Sequence, residues 1–575
     1  MGSLSVEPDA GQEEQFDLVI VGAGINGLYA ARALLAIQPS INLVVVDSLS
    51  SVGGVWSRER IYPGLNVQTT PEYFELPELR YKDVTPPLEH NSKGFMTGPS
   101  WSRYFQAWSE KVGLTKHVRL NTTVRQIARH ADGKRWQCYL ADSGKILTSD
   151  KLIVANGIAS LPKYPDLDCS KFSPPVMHHR YFGERRADWD KEEVKHVTVY
   201  GAGKGSMDNI VQLIKSGKKV KWVIRKGGRG PPWIMDPNLP NGGRAEALGF
   251  SRFLALIMPS LYQDEGFSGL HYFFKQNFFG RNFSKFFMNS SRSVAMSQLK
   301  PLNENLRRAL PEMGPFWMYH VIGIDNYDIK VYDFIRNGDI EVARDDIVSL
   351  QGDTVTLESG ESFQTDAVVF ATGWKASISL FSDNMELEMQ MGLPSTSYTD
   401  EYTQKWKALE EEADKRVYLE NPILKDAPAP PRIPPQESGP FRLYHYTVPT
   451  NFADGSIAFL GVSPSPGTCH YAIVMGLWTA AYLTGKLELP SKEELEKVTA
   501  FELRFTQIRH VGLSNEFPLI TFDWMAIVAE FLKELGINPY MKGGYFREIF
   551  WSYKADDYAD LFDKWIAKHG IVEPK

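Results

Sequence analysis

Cysteine is scarce in this chain of 575 residues: Cys138, Cys169 and Cys469 stand far apart, with no CxxC and no cysteine-histidine spacing suited to zinc. That excludes a disulfide framework, a zinc site and a redox-active cysteine pair, and it fits a reducing, cytoplasmic compartment. A large excess of either charge is also missing. With 63 basic and 69 acidic residues the formal net charge is −6, which offers no general attraction to nucleic acid or to anionic lipid. The opening "MGSLSVEPDAGQEEQ" lacks the basic region and apolar stretch of a secretory signal. Long apolar runs are absent as well, since "YAIVMGLWTAAYL", from Tyr471 to Leu483, falls short of the roughly 20 residues a membrane-spanning helix requires. What remains is material for a core: 43% of the chain is apolar, enough at this length for roughly two to four soluble domains.

Glycine is placed with purpose. In "FDLVIVGAGINGLYAARAL" a β-branched run ends at Gly22 and an alanine- and leucine-rich helical pattern follows. Gly22 permits the tight turn, Gly24 lets backbone approach a pyrophosphate, and Gly27 lets the helix pack closely, with the helix N-terminus facing the phosphates. A second apolar run, "INLVVVD", ends in Asp47, at the place where an acid accepts hydrogen bonds from ribose hydroxyls and repels a 2′-phosphate. Just beyond it, "SVGGVW" supplies Gly53, Gly54 and Trp56. These are either backbone held close to something flat or a surface turn beside a core tryptophan.

A second turn, "HVTVYGAGKGSMDNI", repeats the arrangement with Gly201 and Gly203. Ser206 replaces the third glycine, and either its hydroxyl or Lys204 is in reach of a phosphate. The next strand ends not in an acid but in "VIRKGGRGP". Arg225, Lys226 and Arg229 suit a 2′-phosphate, unless they are solvated surface charges. The two turns are therefore expected to take different nucleotides.

Each turn is followed by a similar segment of alternating strands closing on a glycine, "KLIVANG" at Gly157 and "AVVFATGW" at Gly373. This is internal duplication, with both glycines at strand ends where ligands of open α/β sheets collect. A late strand, "SIAFLG", stops at Gly461, and a helix is expected to begin near His470, its N-terminus facing a cofactor or simply packed inside. The expected fold is α/β, with two Rossmann-like dinucleotide-binding domains and a helical insertion: a first FAD-binding part at 14–180, an NADPH-binding domain at 190–352 with the insertion at about 231–327, and a second FAD-binding part with C-terminal helices at 353–575. Within the insertion, "FLALIMPSLY" and "HYFFKQNFFGRNFSKFFMNS" read in three ways: as ordinary packed helices, as a substrate lid, or as an interfacial membrane helix with Lys275, Arg281 and Lys285 among the aromatics. "ENPILKDAPAPPRIPPQESGP" is expected to be an extended linker, and "FREIFWSYKADDYADLFDKWIAKHG" an amphipathic helical finish.

Together, the first turn with Asp47, "GGVW", the second turn with its basic residues, "FATGW" and the late helix resemble the class B flavin-dependent monooxygenases, over about residues 16 to 570. The likeness is nearest to fungal members of biosynthetic pathways. The resemblance implies FAD on Gly22, Gly24, Gly27, Asp47, Gly54, Trp56 and Gly461, and NADPH on Gly201, Gly203, Lys204, Ser206, Arg225 and Lys226. It also implies hydride transfer to the flavin, followed by a flavin C4a-(hydro)peroxide that oxygenates a hydrophobic metabolite. The family's linker signature FxGxxxHxxx(F/Y/W) is matched by "FSPPVMHHRYF" at Phe172, His178 and Phe182, with Pro174 in place of glycine. His178 is then either a tether for the NADPH domain or a satisfied structural residue. Mammalian-type members place an asparagine near the flavin reaction centre, and "NVQTTPEY" puts Gln68 there with Thr69 beside it, as candidate hydrogen-bonding residues for the reaction.

The acceptor of the oxygen stays open among Baeyer-Villiger insertion, epoxidation or hydroxylation, and N- or S-oxygenation. A non-oxygenating flavoprotein using FAD as scaffold is a further reading. The expected partners are O2 and an apolar small molecule, with no nucleic acid, no transmembrane segment and no resident metal, and with peripheral membrane contact as a less favoured reading.

Overall fold

A computed structural model describes residues 12–570, apart from 240–241, 319–320, 376–378, 382–383, 397, 431–437, 516 and 522. Residues 1–11 of the acidic opening segment and the middle of the proline-rich linker lie outside the described residues. Two sheets organise the chain, and the β-branched runs form their central strands because those strands are buried on both faces. The first sheet runs in spatial order Val118–Arg119, Leu43–Val46, Glu13–Val21, Ile146–Val154, Trp136–Leu140 and Val124–Arg129. The late strand Ile457–Phe459 pairs in parallel with Leu152 to Val154, so chain from beyond the second unit returns to complete the first.

The second sheet has five strands, all parallel: Ile340–Arg344, Lys219–Ile224, His196–Tyr200, Ala367–Phe370 and Val176–His178. From the outer strand to the closing strand, its order repeats that of the first sheet. The duplication extends to atomic contacts. A Cβ at Gly22 would lie 2.3 Å from the carbonyl oxygen of Ala155, and one at Gly201 would lie 2.1 Å from that of Ala371, the equivalent residue after each closing strand. Because a parallel sheet needs its closing strand, the second sheet runs past both limits expected for that unit, 190 and 352.

The linker before this sheet lies along it. Ser173 donates to the Gly352 carbonyl (2.7 Å) and the Pro175 carbonyl accepts from Val368 (2.9 Å). The ladder bonds thus fall on either side of Pro174, where a missing N–H matters least. Phe182 is fully buried and stacks on Trp189, and Phe172 packs against the neighbouring core.

The insertion is helical, with Phe278–Ser297 its longest element. The late helix Thr468–Leu483 starts two residues before the expected His470 and is buried nearly all round against Ile25–Ile37. Gly476 allows that approach, since a Cβ there would meet the Tyr29 backbone carbonyl carbon at 3.2 Å. The C-terminal finish consists of two short α-helices, Tyr545–Phe550 and Leu561–Lys568. Asp557 caps the turn between them by accepting from the Lys554 N–H at 2.7 Å. Among the described residues no helix is long and apolar enough to cross a membrane.

Candidate active site

A cavity of about 500 Å³ opens where the first sheet's strands end, lined by Gly22, Gly24, Asp47, Gly54, Trp56 and Gly461, together with Gly157. Gly22 has φ +117°, which only glycine adopts without strain. Gly27 faces away from the cavity: a Cβ there would lie 2.0 Å from the Gly22 carbonyl oxygen, so its part is close packing. Gly54 faces Gly24, where an added Cβ would stand 3.1 Å from the Gly24 Cα, and the Gly53 N–H donates to the Ala23 carbonyl (2.9 Å). The "GGVW" turn is therefore clamped onto the first turn, backbone to backbone.

The carboxylate of Asp47 holds this turn as well as lining the cavity. One oxygen accepts from Ala23 N–H (2.7 Å) and the other from Leu49 N–H (2.9 Å). Burial raises its pKa while those two bonds oppose the rise. Thr468, the first residue of the late helix, reaches the same cavity, whereas His470 is fully buried behind it beside Trp524.

A second cavity, of about 200 Å³, lies at the second turn and is lined by Gly201, Gly203, Lys204, Ser206, Arg225 and Arg229. Three expectations change here. Lys226 is not on its wall: its Nζ lies 2.8 Å from both Asp345 and Glu358, which raise its pKa. Successive residues of an extended chain point to opposite sides, so Arg225 faces the cavity and Lys226 does not. Lys204 lines the wall, but its ammonium turns inward to Asp208 (2.5 Å) and Asn326 (3.1 Å), above the Tyr327 ring. The Ser206 hydroxyl donates to the Gly203 carbonyl (2.5 Å), so it stabilises the turn itself.

His178 also lies behind the wall. Its Nε2–H donates to the Gly373 carbonyl (3.0 Å) and its Nδ1 accepts from Arg180 N–H (3.1 Å). Burial lowers its pKa to about 4, more than the Gly373 bond can offset, and the ring is neutral near pH 7. Both its ring nitrogens are bonded within the fold, and its neighbour His179 is the one that fronts the cavity.

A third space, about 680 Å³, is the largest of the three and strongly apolar. The insertion builds most of its wall, through Leu248, Phe250, Leu254, Met258, Phe287 and Met288, so that segment is a chamber wall more aliphatic than aromatic. Trp56, Phe74, Ser465 and Thr468 line both this chamber and the first cavity, so the two spaces adjoin across a common wall. Gln68 and Thr69 lie on its wall. The Gln68 Oε1 accepts from Ile324 N–H (3.2 Å), which leaves its amide NH2 as the donor end. Among the described residues, Glu246 is the one ionisable residue on the chamber wall. Burial raises its pKa, against the pull of its own backbone N–H and of Arg244.

Several site residues carry no sequence signal because their partners are remote in the chain. Arg60 donates to the Ala159 carbonyl (2.6 Å) and lies 5.4 Å over the ring of Trp374, joining the first cavity's wall to the second's. Burial, helped by Arg180, lowers its pKa to about 9. Asn326 is fully buried, donates to the carbonyls of Asn66 (2.8 Å) and Val67 (3.1 Å), and so pins the stretch that carries Gln68 to the second unit.

Comparison with known proteins agrees with this geometry. Residues 19–233 match the family described as pyridine nucleotide-disulphide oxidoreductase. The match covers the first turn and the start of the second unit, while Cys138, Cys169 and Cys469 are all free thiols. The chain is 31% identical to an FAD-dependent monooxygenase of Alternaria brassicicola, with 96% of this chain and 95% of the relative covered. It is also 31% identical to an FAD-dependent monooxygenase of Pyrenophora dematioidea, covering 92% and 99%. Among solved structures, an open form of cyclohexanone monooxygenase (16% identity, TM-score 0.58) and a steroid monooxygenase bound to NADP (18%, TM-score 0.58) share the fold over 91% of this chain and 98% of theirs. At about 31% identity over nearly its whole length, this chain belongs to the family of FAD-dependent monooxygenases.

Proposed function

We propose that the protein is an FAD- and NADPH-dependent monooxygenase that places one oxygen atom from O2 into a hydrophobic small metabolite, in secondary-metabolite biosynthesis in the cytoplasm. The observation behind this reading is the adjacency of two spaces: the apolar chamber and the first cavity share Trp56, Phe74, Ser465 and Thr468 on their walls. The residues present fit FAD in the first cavity. A glycine turn that a Cβ would fill, two helix N-termini and the buried, unpartnered Oδ1 of Asn26 all meet there. Bound in it, FAD would supply the O2-activating redox chemistry, with the protein providing position and shielding.

The chain's own residues then have distinct tasks. Gly201 and Gly203 admit the nucleotide backbone of NADPH, and Arg225 with Arg229 reads its 2′-phosphate. Arg60 and Trp374 hold the two nucleotide sites against each other. Gln68 offers its amide NH2 toward the reacting atoms, held there by Ile324, and the buried Thr69 hydroxyl stands beside it. The chamber's largely apolar wall favours a neutral, apolar substrate, because a charged one would lose its hydration there.

The reading is checked by purifying the full chain with FAD and measuring NADPH-dependent O2 uptake on addition of apolar metabolites, with isotopically labelled O2 followed into product. A protein that binds no FAD, or a label that never enters product, would refute it. The assignment of charge readers has its own check. Arg225→Ala should raise KM for NADPH by about ten- to a hundredfold, the loss of one charge-assisted hydrogen bond, and leave KM for NADH unchanged. Lys226→Ala should change neither by more than about twofold, because its ammonium is held by exposed ion pairs elsewhere. The reverse pattern would return the 2′-phosphate to Lys226.

A further inference from the structure

The insertion has a second surface that the chamber does not use. From Gly266 to Asn303 the chain has no acidic residue and, besides the buried Lys275, four basic ones, Arg281, Lys285, Arg292 and Lys300, within a protein of net charge −6. The same stretch exposes aromatic rings to an unusual degree: Tyr272, Phe278, Phe279 and Phe286 are 66% to 74% exposed. Four such rings on adjoining helices form a contiguous apolar patch of a kind that soluble monomers rarely present to water. The short helix Tyr545–Phe550 enlarges it with Phe546 and Phe550, because Phe253 packs 5.5 Å from both the Phe287 and Phe550 rings and so links the two helices.

The pattern on the helix Phe278–Ser297 is specific. Phe279, Phe283, Phe286, Ser290 and Val294 follow each other at helical spacing and make one stripe. The first three point into solvent, whereas Ser290 and Val294 line the apolar chamber, and Val294 is itself 38% exposed. One stripe thus leads from the outer surface to the chamber. By the same helical geometry, Arg281, Lys285 and Arg292 fall along the other edge of the helix's exposed surface, aromatics on one side and cations on the other, as in helices that lie in a membrane interface. Lys285 keeps an exposed partner in Asp426 (2.9 Å), and Arg292 lies 5.9 Å from the Trp233 ring. A second copy of the chain is a poor occupant, since a two-fold contact would set these basic side chains against their own equivalents.

We infer that this face docks on a bilayer surface carrying anionic headgroups, with the chamber opening toward it. Docking is independent of the oxygenase reading, and it is measured without turnover. The test is flotation of the full-length, flavin-loaded protein with vesicles of phosphatidylcholine alone and of phosphatidylcholine mixed with phosphatidylserine. The protein should float with the mixed vesicles, more weakly with the neutral ones, and come off as salt is raised. Arg281→Gln should weaken binding to the mixed vesicles about fivefold, the worth of one basic side chain at such a surface. The triple variant Phe279→Ser, Phe283→Ser and Phe286→Ser should lose flotation while keeping its flavin and its thermal midpoint, since all three rings already face water. Wild-type protein that floats with neither vesicle, or a triple variant that floats as well as wild type, overturns the inference. Loss of a wild-type dimer in that variant, with no vesicle binding by either, assigns the face to a second copy instead.

Discussion

Gly22→Val should purify as a colourless protein. At Gly22 the backbone has φ +117°, and the new Cβ would meet the Ala155 carbonyl oxygen at 2.3 Å and its carbon at 2.7 Å. Neither atom is the end of a flexible side chain; both are backbone of the residue that directly follows the strand Ile146–Val154. The turn can relieve the contact only by moving, and it is tied down from three sides. Asp47 accepts from Ala23, Gly53 donates to Ala23, and Gly54 abuts Gly24. Strain of about 1–2 kcal/mol for the dihedral adds to about 1–3 kcal/mol for overpacking, and both are concentrated on the surface that must meet a pyrophosphate. Gly485→Ala separates the two effects. It has φ +69° with nothing within 4 Å, so it should keep its flavin and lose only about 1 kcal/mol of stability. Flavin absorbance at full stoichiometry in purified Gly22→Val would contradict this account of the turn.

The largest loss of stability should come from His445→Ala, far from the nucleotides. His445 Nδ1 lies 2.6 Å from Glu502 and Nε2 lies 3.2 Å from Glu534, while Tyr444 and Trp478 donate to the same Glu534 (2.6 Å each). Burial disfavours the charged imidazole, but Glu502 first and then Glu534 outweigh it and raise its pKa to about 10. Removing the cation leaves the fully buried Glu502 without its counter-charge, a change worth about 3–5 kcal/mol. The sign of the pH dependence follows. A histidine raised from 6.5 to about 10 contributes fully below pH 6.5, and that contribution fades as pH climbs to about 10. Glu534, for which burial is outweighed by His445, is lowered from 4.5, so its share fades as pH falls below that value. The urea stability of wild type over His445→Ala should therefore be widest between about pH 4.5 and 6.5 and shrink toward pH 10. A difference that stays constant from pH 6.5 to 10 would show that the cluster holds no charged imidazole.

Much of the nucleotide architecture is legible in the chain because it depends on local geometry. A strand that must turn sharply against its neighbour needs glycine at Gly22 and again at Gly201, and each is read from a few residues. Asp47 is legible for the same reason, standing at the end of the strand next to the turn. Counting along the chain is less informative about direction. Arg225 and Lys226 are adjacent, as are His178 and His179, and in each pair the choice depends on which way an extended backbone presents its side chains. The structure gives the cavity to Arg225 and His179 and gives the ion pair and the structural hydrogen bonds to their neighbours. Ser206 shows a further gap between type and role. Its hydroxyl looks available to a phosphate, yet its own turn supplies a closer acceptor at Gly203.

By itself, the order of residues determined two duplicated nucleotide-binding units, one with an acid and one with basic residues after its second strand, and it excluded a cysteine-based redox site. Those features are short-range, set by glycine's freedom, strand alternation and charge. Tertiary structure alone decided the chamber and the tethers around it. Its wall takes Trp56 and Gln68 from one stretch, Leu254 and Met288 from the insertion, Ile324 from near the end of the insertion and Ser465 from the last third of the chain. Asn326 is bonded to residues some 260 positions away. Contacts of that separation arise only when two whole sheets have formed and docked, because no local propensity encodes which distant apolar surfaces will meet.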